Sequence, residues 1–290
     1  MKQSWKVKLI LSYIPLYLLV FLFILTMGYL VTVEITKSQT ERTHAEYAKQ
    51  IMHLLDTQLR TVDQLLMTEI LSNPRLQQFM QSSQPDDPFL YYEISRDLSN
   101  FVRKMSLIDS AYIYRKSDRL VITDQRMYTD PDQFADRDFL EQASLRQGIQ
   151  TWTSARTYRH SEHVAGSTVV TLVRPVPLFS GTQGIVAVNV SAHQIMNLLN
   201  DMTRSLTVSL RLTDGENTII LENGVDFPRD AIEYQSKYTG WTLNTGFRTT
   251  RWLGQLTALS YIWIGLIFFT VLLGLLWIWH TVNKNYKPRS

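Results

Sequence analysis

Two long uncharged stretches bracket this chain, and they limit what it can fold into. One runs from Leu9 to Val33 between Lys8 and Glu34. The other runs from Trp252 to Trp279, between Arg251 and Lys284. Crossing the ~30 Å hydrocarbon core takes about 20 apolar residues in a helix, and each stretch is long enough. Residues 34–251 between them have the mixed composition of a water-soluble domain. The expected organisation is a cytoplasmic N-terminus (1–8), a first transmembrane helix (9–33), an extracellular domain (34–251), a second transmembrane helix (252–279) and a cytoplasmic stub (280–290).

Orientation follows from the flanking basic residues. Lys2, Lys6 and Lys8 precede the first span, and Lys284, Lys287 and Arg289 follow the second. Both termini therefore read as cytoplasmic and the centre as external, in a multi-pass protein of the cell membrane. A cleaved signal peptide would carry a shorter apolar run, of ~7–15 residues, and a small-residue cleavage site. Met27-Gly28-Tyr29-Leu30-Val31 offers no such site. The net charge of +3 gives no basic stripe, so the visible residues predict no nucleic-acid partner. The absence of cysteine removes disulfides, thiolate metal sites and thiol nucleophiles, and leaves a folded core to hold the external domain.

Along the external region, Glu34 to Ser72 contains neither Pro nor Gly. Ala48, Met52, Leu55, Leu59, Val62 and Leu66 fall on one helical stripe, widened by Ile51, Leu65 and Ile70. The prediction is a long helix over 34–72 that continues from the membrane. Its stripe packs on the domain and in part on a twin helix in a homodimer. Asn73-Pro74 starts the next helix after a stop, and Gln84–Pro88 is a loop. A further helix carries Ile94, Leu98, Phe101, Val102 and Met105. The period then becomes alternating: Ala111–Tyr114 and Leu120–Thr123 flank the turn Lys116-Ser117-Asp118, a hairpin signal. A helix is expected over 133–146 and strands over 150–158, 168–175 and 184–190, with a turn over 180–184. Ser191 caps a helix bearing Ile195, Leu198, Leu199 and Met202. A smaller strand-rich unit follows, with strands at 206–212, 218–221, 233–238 and 241–247.

This order of elements, with Asp138-Phe139-Leu140, Trp152-Thr153-Ser154, the run Gly184–Val190 and Tyr238-Thr239-Gly240-Trp241, resembles the double Cache sensor domain. The start of the chain and Asn285-Tyr286-Lys287-Pro288 are similar to the sensor halves of bacterial membrane-bound AraC-type regulators and related sensor histidine kinases. The resemblance implies an α+β fold: a long N-terminal helix, then antiparallel sheets in a larger distal lobe (about 89–202) and a smaller proximal lobe (about 203–248). It also implies a non-enzymatic receptor for a small extracellular ligand or a ligand-loaded binding protein. In those families an output domain follows the second span, so the chain reads as a truncated receptor.

A ligand site needs apolar and aromatic walls with a few placed polar groups. The candidates are Tyr112, Tyr114, Arg137, Trp152 and Asn189. Amino-acid-binding Cache domains place an Arg, then Trp and Tyr, then Ala, and later an Asp on a strand. Arg137 and Ala143 match that pattern. Phe139, Leu140 and Asn189 replace its Trp, Tyr and Asp. A neutral Asn189 holds no charge for an ammonium group, so amino acids are not the expected ligand.

The acidic run Asp130, Asp132, Asp136, Asp138 lacks the glycine of a calcium loop and reads as solvated and helix-capping. His160-Ser161-Glu162-His163 lacks a further ligand and reads as an exposed loop. No nucleophile elbow, phosphate loop, zincin helix or dinucleotide fingerprint is present, and no cofactor is expected. A tethered scaffold with an exposed apolar patch, and less so a tethered external enzyme, are the alternatives.

Overall fold

The computed structural model describes residues 3–81, 88–145, 152–159, 166–176, 183–203, 208–224, 227, 231–247 and 250–285. All but Pro88 of the predicted loop over 84–88, the start of the 150–158 strand, His160–His163, most of the turn over 180–184 and residues 206–207 lie outside them. The chain divides into two units, residues 1–44 with 248–290, and residues 45–247.

The first unit consists of helix. α1 begins at Gln3 and runs to Leu65, and α6 spans Thr250–Asn285. Both are long and apolar enough to cross a membrane. Leu19, Phe23, Ile24, Leu30, Ile262 and Phe268 stand exposed, an arrangement that favours hydrocarbon over water. The two helices meet where Gly28 leaves a notch: a Cβ there would stand 3.0 Å from the Trp263 ring. Tyr29 packs edge-on against Trp263 at 6.3 Å, and its hydroxyl shares a 3.0 Å hydrogen bond with Ser260 Oγ. Close approach at a small residue with a polar tie is how helices associate in lipid. Thr32, Thr36 and Thr40 each donate their hydroxyl to the carbonyl four residues back, at 2.7–2.8 Å.

In the second unit α1 ends in a π-helical turn, Leu66–Leu71, which the sequence pattern did not signal. α2 (Pro74–Gln81) and α3 (Pro88–Val102) follow, and Asn73 Oδ1 accepts from Arg75 N as a cap. The stripe Ile51, Met52, Leu55, Leu59, Val62 and Leu66 is wholly buried in this unit's own core. The outward face of the same stretch carries the exposed residues His53, Thr57, Arg60, Gln64 and Thr68.

Among the described residues, ten strands form two antiparallel sheets. The larger uses β1 (Ile108–Arg115), β2 (Leu120–Thr123), β3 (Met127–Tyr128), β4 (Arg156–Tyr158), β5 (Ser167–Val176) and β6 (Gly184–Ser191), in the order β3-β2-β1-β6-β5-β4. The smaller uses β7 (Val208–Thr213), β8 (Ile219–Asn223), β9 (Ile232–Gln235) and β10 (Thr242–Phe247), in the order β8-β7-β10-β9. α4 (Arg137–Leu145) and α5 (Ala192–Thr203) complete the unit. This is the expected α+β architecture, a long N-terminal helix with two antiparallel sheets.

Every residue of β6 is buried because the larger sheet is covered on both faces, which is why Gly184–Val188 reads as a continuous apolar run before the polar Asn189. A Cβ at Gly184 would fall 2.1 Å from the Tyr114 carbonyl, so only glycine fits this close crossing. One face packs on α1, α3 and α5, through Ala111, Ile113, Leu172, Val186 and Val188. The other holds a second core of Tyr112, Tyr114, Val121, Val169, Val173 and Ala187. Trp241, of the smaller sheet's β9–β10 turn, joins the first core and meets Trp152 edge-on at 6.0 Å.

The strand predicted over 233–238 ends at Gln235, and two other boundaries differ more. The helix predicted over 133–146 begins only at Arg137, because Phe134 is extended and turns its ring into the second core against Tyr112 (5.0 Å) and Tyr128 (5.3 Å). Among the described residues of the strand predicted over 150–158, only Arg156–Tyr158 forms a ladder, while Trp152 makes a single bridge to Leu172.

Candidate functional site

Beneath α4, on the sheet face turned away from α1, charge and polarity are buried among the aromatic residues of the second core. Register places them there. Ser110 faces Asn189 across β1–β6, Asn189 faces Thr171 across β6–β5, and Arg156 on β4 faces Val169 on β5. The period of two along each strand turns Ser110, Asn189, Thr171 and Arg156 to one side.

Arg156 is the hub. Its Nη1 pairs with Asp136 Oδ1, its Nη2 donates to Asn189 Oδ1 at 2.9 Å and its Nε donates to Thr171 Oγ1 at 3.0 Å. Its guanidinium lies over the Phe139 ring, 3.6 Å from the centroid. Thr171 Oγ1 donates to Asn189 Oδ1 (2.7 Å), and Asn189 Nδ2 donates to Ser110 Oγ (2.9 Å). The other Asp136 oxygen accepts from the Tyr112 hydroxyl at 2.8 Å. Asn189, Thr171 and Ser110 are fully buried, and Asp136 is 7% exposed.

Burial pushes the Asp136 carboxyl above its ordinary value, against the pull of the Arg156 charge. Burial, and then the Asp136 charge, holds the Tyr112 phenol well above its usual range. Tyr158, on the same side of β4 as Arg156, is raised by burial as well. The cluster is thus a neutral Arg–Asp pair with its hydrogen bonds matched internally. What such a cluster can do is exchange an internal partner for a ligand group of the same kind.

The structure brings together two of the five sequence-derived candidates, Tyr112 and Asn189. Tyr114 shares their sheet face and lies buried in the second core. Arg137 points outward, exposed, and pairs with Asp138 (3.2 Å) and Asp132 (3.5 Å). Trp152 takes the opposite face with Leu172 and packs on the first core.

The acidic run divides, against the expectation that all four residues are solvated. Asp130 caps a short 3-10 turn, Asp132 and Asp138 meet Arg137 at the surface, and Asp136 turns inward. A buried arginine was available to Asp136 alone. Among the described residues, no three His, Cys, Asp or Glu side chains gather as a metal site would require. Arg156 and Thr171 escaped the sequence reading. Arg156 stands in the polar run Thr153-Ser154-Ala155-Arg156-Thr157, beside a second arginine at 159, so its local sequence carries no signal.

No family model and no curated protein matches the sequence. Solved structures do match it. The periplasmic sensory domain of the Campylobacter jejuni chemoreceptor Tlp1 superposes with a TM-score of 0.53 at 11% identity, covering 72% of this chain and 95% of that one. The ligand-binding domain of the Campylobacter jejuni chemoreceptor Tlp3, in complex with L-norvaline, superposes with a TM-score of 0.50 at 13% identity, covering 73% and 92%. The chain therefore has the fold of periplasmic ligand-binding sensory domains.

Proposed function

We propose that this protein is a transmembrane receptor, and that residues 34–251 bind a small extracellular ligand on the sheet face beneath α4. The observation that carries the reading is the buried Arg156–Asp136–Asn189–Thr171–Tyr112 cluster. An apolar core would satisfy that space without taking charges from water. Perturbed, buried ionisable groups of this kind concentrate at functional sites.

In this reading residues 9–33 and 252–279 cross the bilayer, both termini are cytoplasmic, and the larger sheet forms the membrane-distal lobe. Tyr112, Asn189, Arg156 and Asp136 contact the ligand, and Tyr114 walls the site. The negative charge that Asn189 does not provide is supplied by Asp136, one residue of the network away. Amino acids, one of which (L-norvaline) is bound by the Tlp3 domain, therefore belong in the ligand set with sugars and organic acids. A second copy would meet α1 along its polar outer face. The output that the receptor drives is of the AraC or kinase type, in keeping with the resemblance at Asn285-Tyr286-Lys287-Pro288.

The test is a ligand panel against the full chain in detergent. A ligand at a hundred times its dissociation constant stabilises by about 2.7 kcal/mol. That shift in melting should vanish in Arg156→Ala and shrink in Tyr112→Phe. A ligand that stabilises wild type and Arg156→Ala equally binds elsewhere and overturns this site.

A further inference from the structure

Strand β5 presents two kinds of polar residue to its two sides. Thr171 points into the Arg156 cluster. Three residues on, at ~3.3 Å per residue, Arg174 points the other way, about 10 Å along the strand. It grips the long helix: Arg174 Nε donates to Asp63 Oδ1 at 3.0 Å, and Nη2 pairs with Asp63 Oδ2. Both side chains are largely buried, 10% and 17% exposed.

The same carboxylate accepts from the Tyr238 hydroxyl at 3.4 Å, in the β9–β10 turn of the smaller sheet. One and two turns back along α1, Arg60 lies over the Tyr238 ring (4.1 Å), and Asp56 Oδ1 accepts from Ser236 Oγ (2.7 Å). Asp56, Arg60 and Asp63 follow the i, i+4, i+7 spacing of one helix face. They form a polar seam beside the apolar stripe, with the large sheet at one end and the small sheet's turn along it.

We infer that Asp63 is the joint through which a change at the Arg156 cluster reaches α1, with Arg174 as its partner on β5. A two-point Arg–carboxylate fork fixes position as well as charge, so a shift of β5 cannot slide past it. A buried charge that lost its partner would stand uncompensated, so the helix follows the strand instead of letting go. The inference rests on the receptor reading for its purpose, but its geometry is independent of any ligand.

The experiment uses the full chain in lipid nanodiscs and no ligand. Hydrogen exchange of the α1 amides from Leu59 to Leu65 is followed in wild type, Arg156→Ala, Asp63→Asn and the double variant. Opening the cluster with Arg156→Ala is expected to speed exchange of these amides about tenfold beyond the increase shared with the slowest amides of the smaller sheet, which reports the common loss of stability, and it is this excess that is compared between backgrounds. In the Asp63→Asn background the same substitution should change it less than about twofold. If Asp63→Asn does not fold, Arg174→Lys carries the test, since it keeps the charge and removes the fork.

Equal acceleration in both backgrounds overturns the joint, and so does no acceleration in either. Neither result touches the receptor reading, which stands or falls on the ligand panel.

Discussion

Removing Arg156 tests the energetic claim behind the site. In Arg156→Ala, Asp136 keeps the hydrogen bond from Tyr112 and loses its only cationic neighbour within the cluster. Asn189 Oδ1 keeps Thr171 as donor, and Phe139 loses the guanidinium over its ring. Breaking a buried pair from one side costs ~3–5 kcal/mol, chiefly because the other charge is left behind. Arg156 is 15% exposed in its side chain, so the low end applies, about 3 kcal/mol. For a unit of this size that lowers the melting temperature by roughly 6–12 °C. Adding Asp136→Asn removes the stranded charge and should return ~1–2 kcal/mol, making the double variant more stable than Arg156→Ala alone. Thermal melts of the full chain in one detergent measure all four proteins of the cycle. A loss below about 1 kcal/mol in Arg156→Ala, or a double variant as unstable as the sum of the singles, would refute the claim that the pair is coupled and buried.

Three further outcomes are expected. Burial raises the folded-state pKa of Asp136 above its unfolded value of about 4. The stability this gives is complete below the unfolded value and is lost as pH rises through the raised folded value. The melting difference between wild type and Asp136→Asn should therefore drift over that acid window and level off above it; a pH-independent difference sinks the assignment. In the membrane pair, Gly28→Val should weaken the α1–α6 contact by about 1 kcal/mol, read by SDS titration, because its Cβ would press on Trp263. Gly265→Val, where an added Cβ meets nothing within 4 Å, is the neutral control. Because the chain has no cysteine, single introduced thiols report topology cleanly. Thr57→Cys should react with an impermeant maleimide on intact cells and Lys284→Cys should not; the reverse pattern refutes the orientation.

The fold was legible where one force dominates. The stripe from Ile51 to Leu66 and the apolar run of β6 announced themselves, because burial against a single large surface imposes a period or a lack of one. The site was legible only in part, because it is assembled across strands. Tyr112 and Asn189 lie on long central strands whose sidedness the alternation reveals. Arg156 lies on a three-residue edge strand, and its direction is set by pairing with Val169, a contact far off in sequence. Trp152 belongs to the other face because its bridge to Leu172 fixes the parity, and no local pattern carries that information. Asp136 stands in a run of similar acids, and what distinguishes it from Asp132 and Asp138 is the single arginine that the fold delivers to it.

The hydroxyls of Thr32, Thr36 and Thr40 are bound to their own backbone, so above the Gly28 notch these side chains turn methyl groups outward and keep their donors to themselves. The hold on α6 is thereby left to the Gly28 notch and the Tyr29–Ser260 hydrogen bond, a single fixed point low on a long rod.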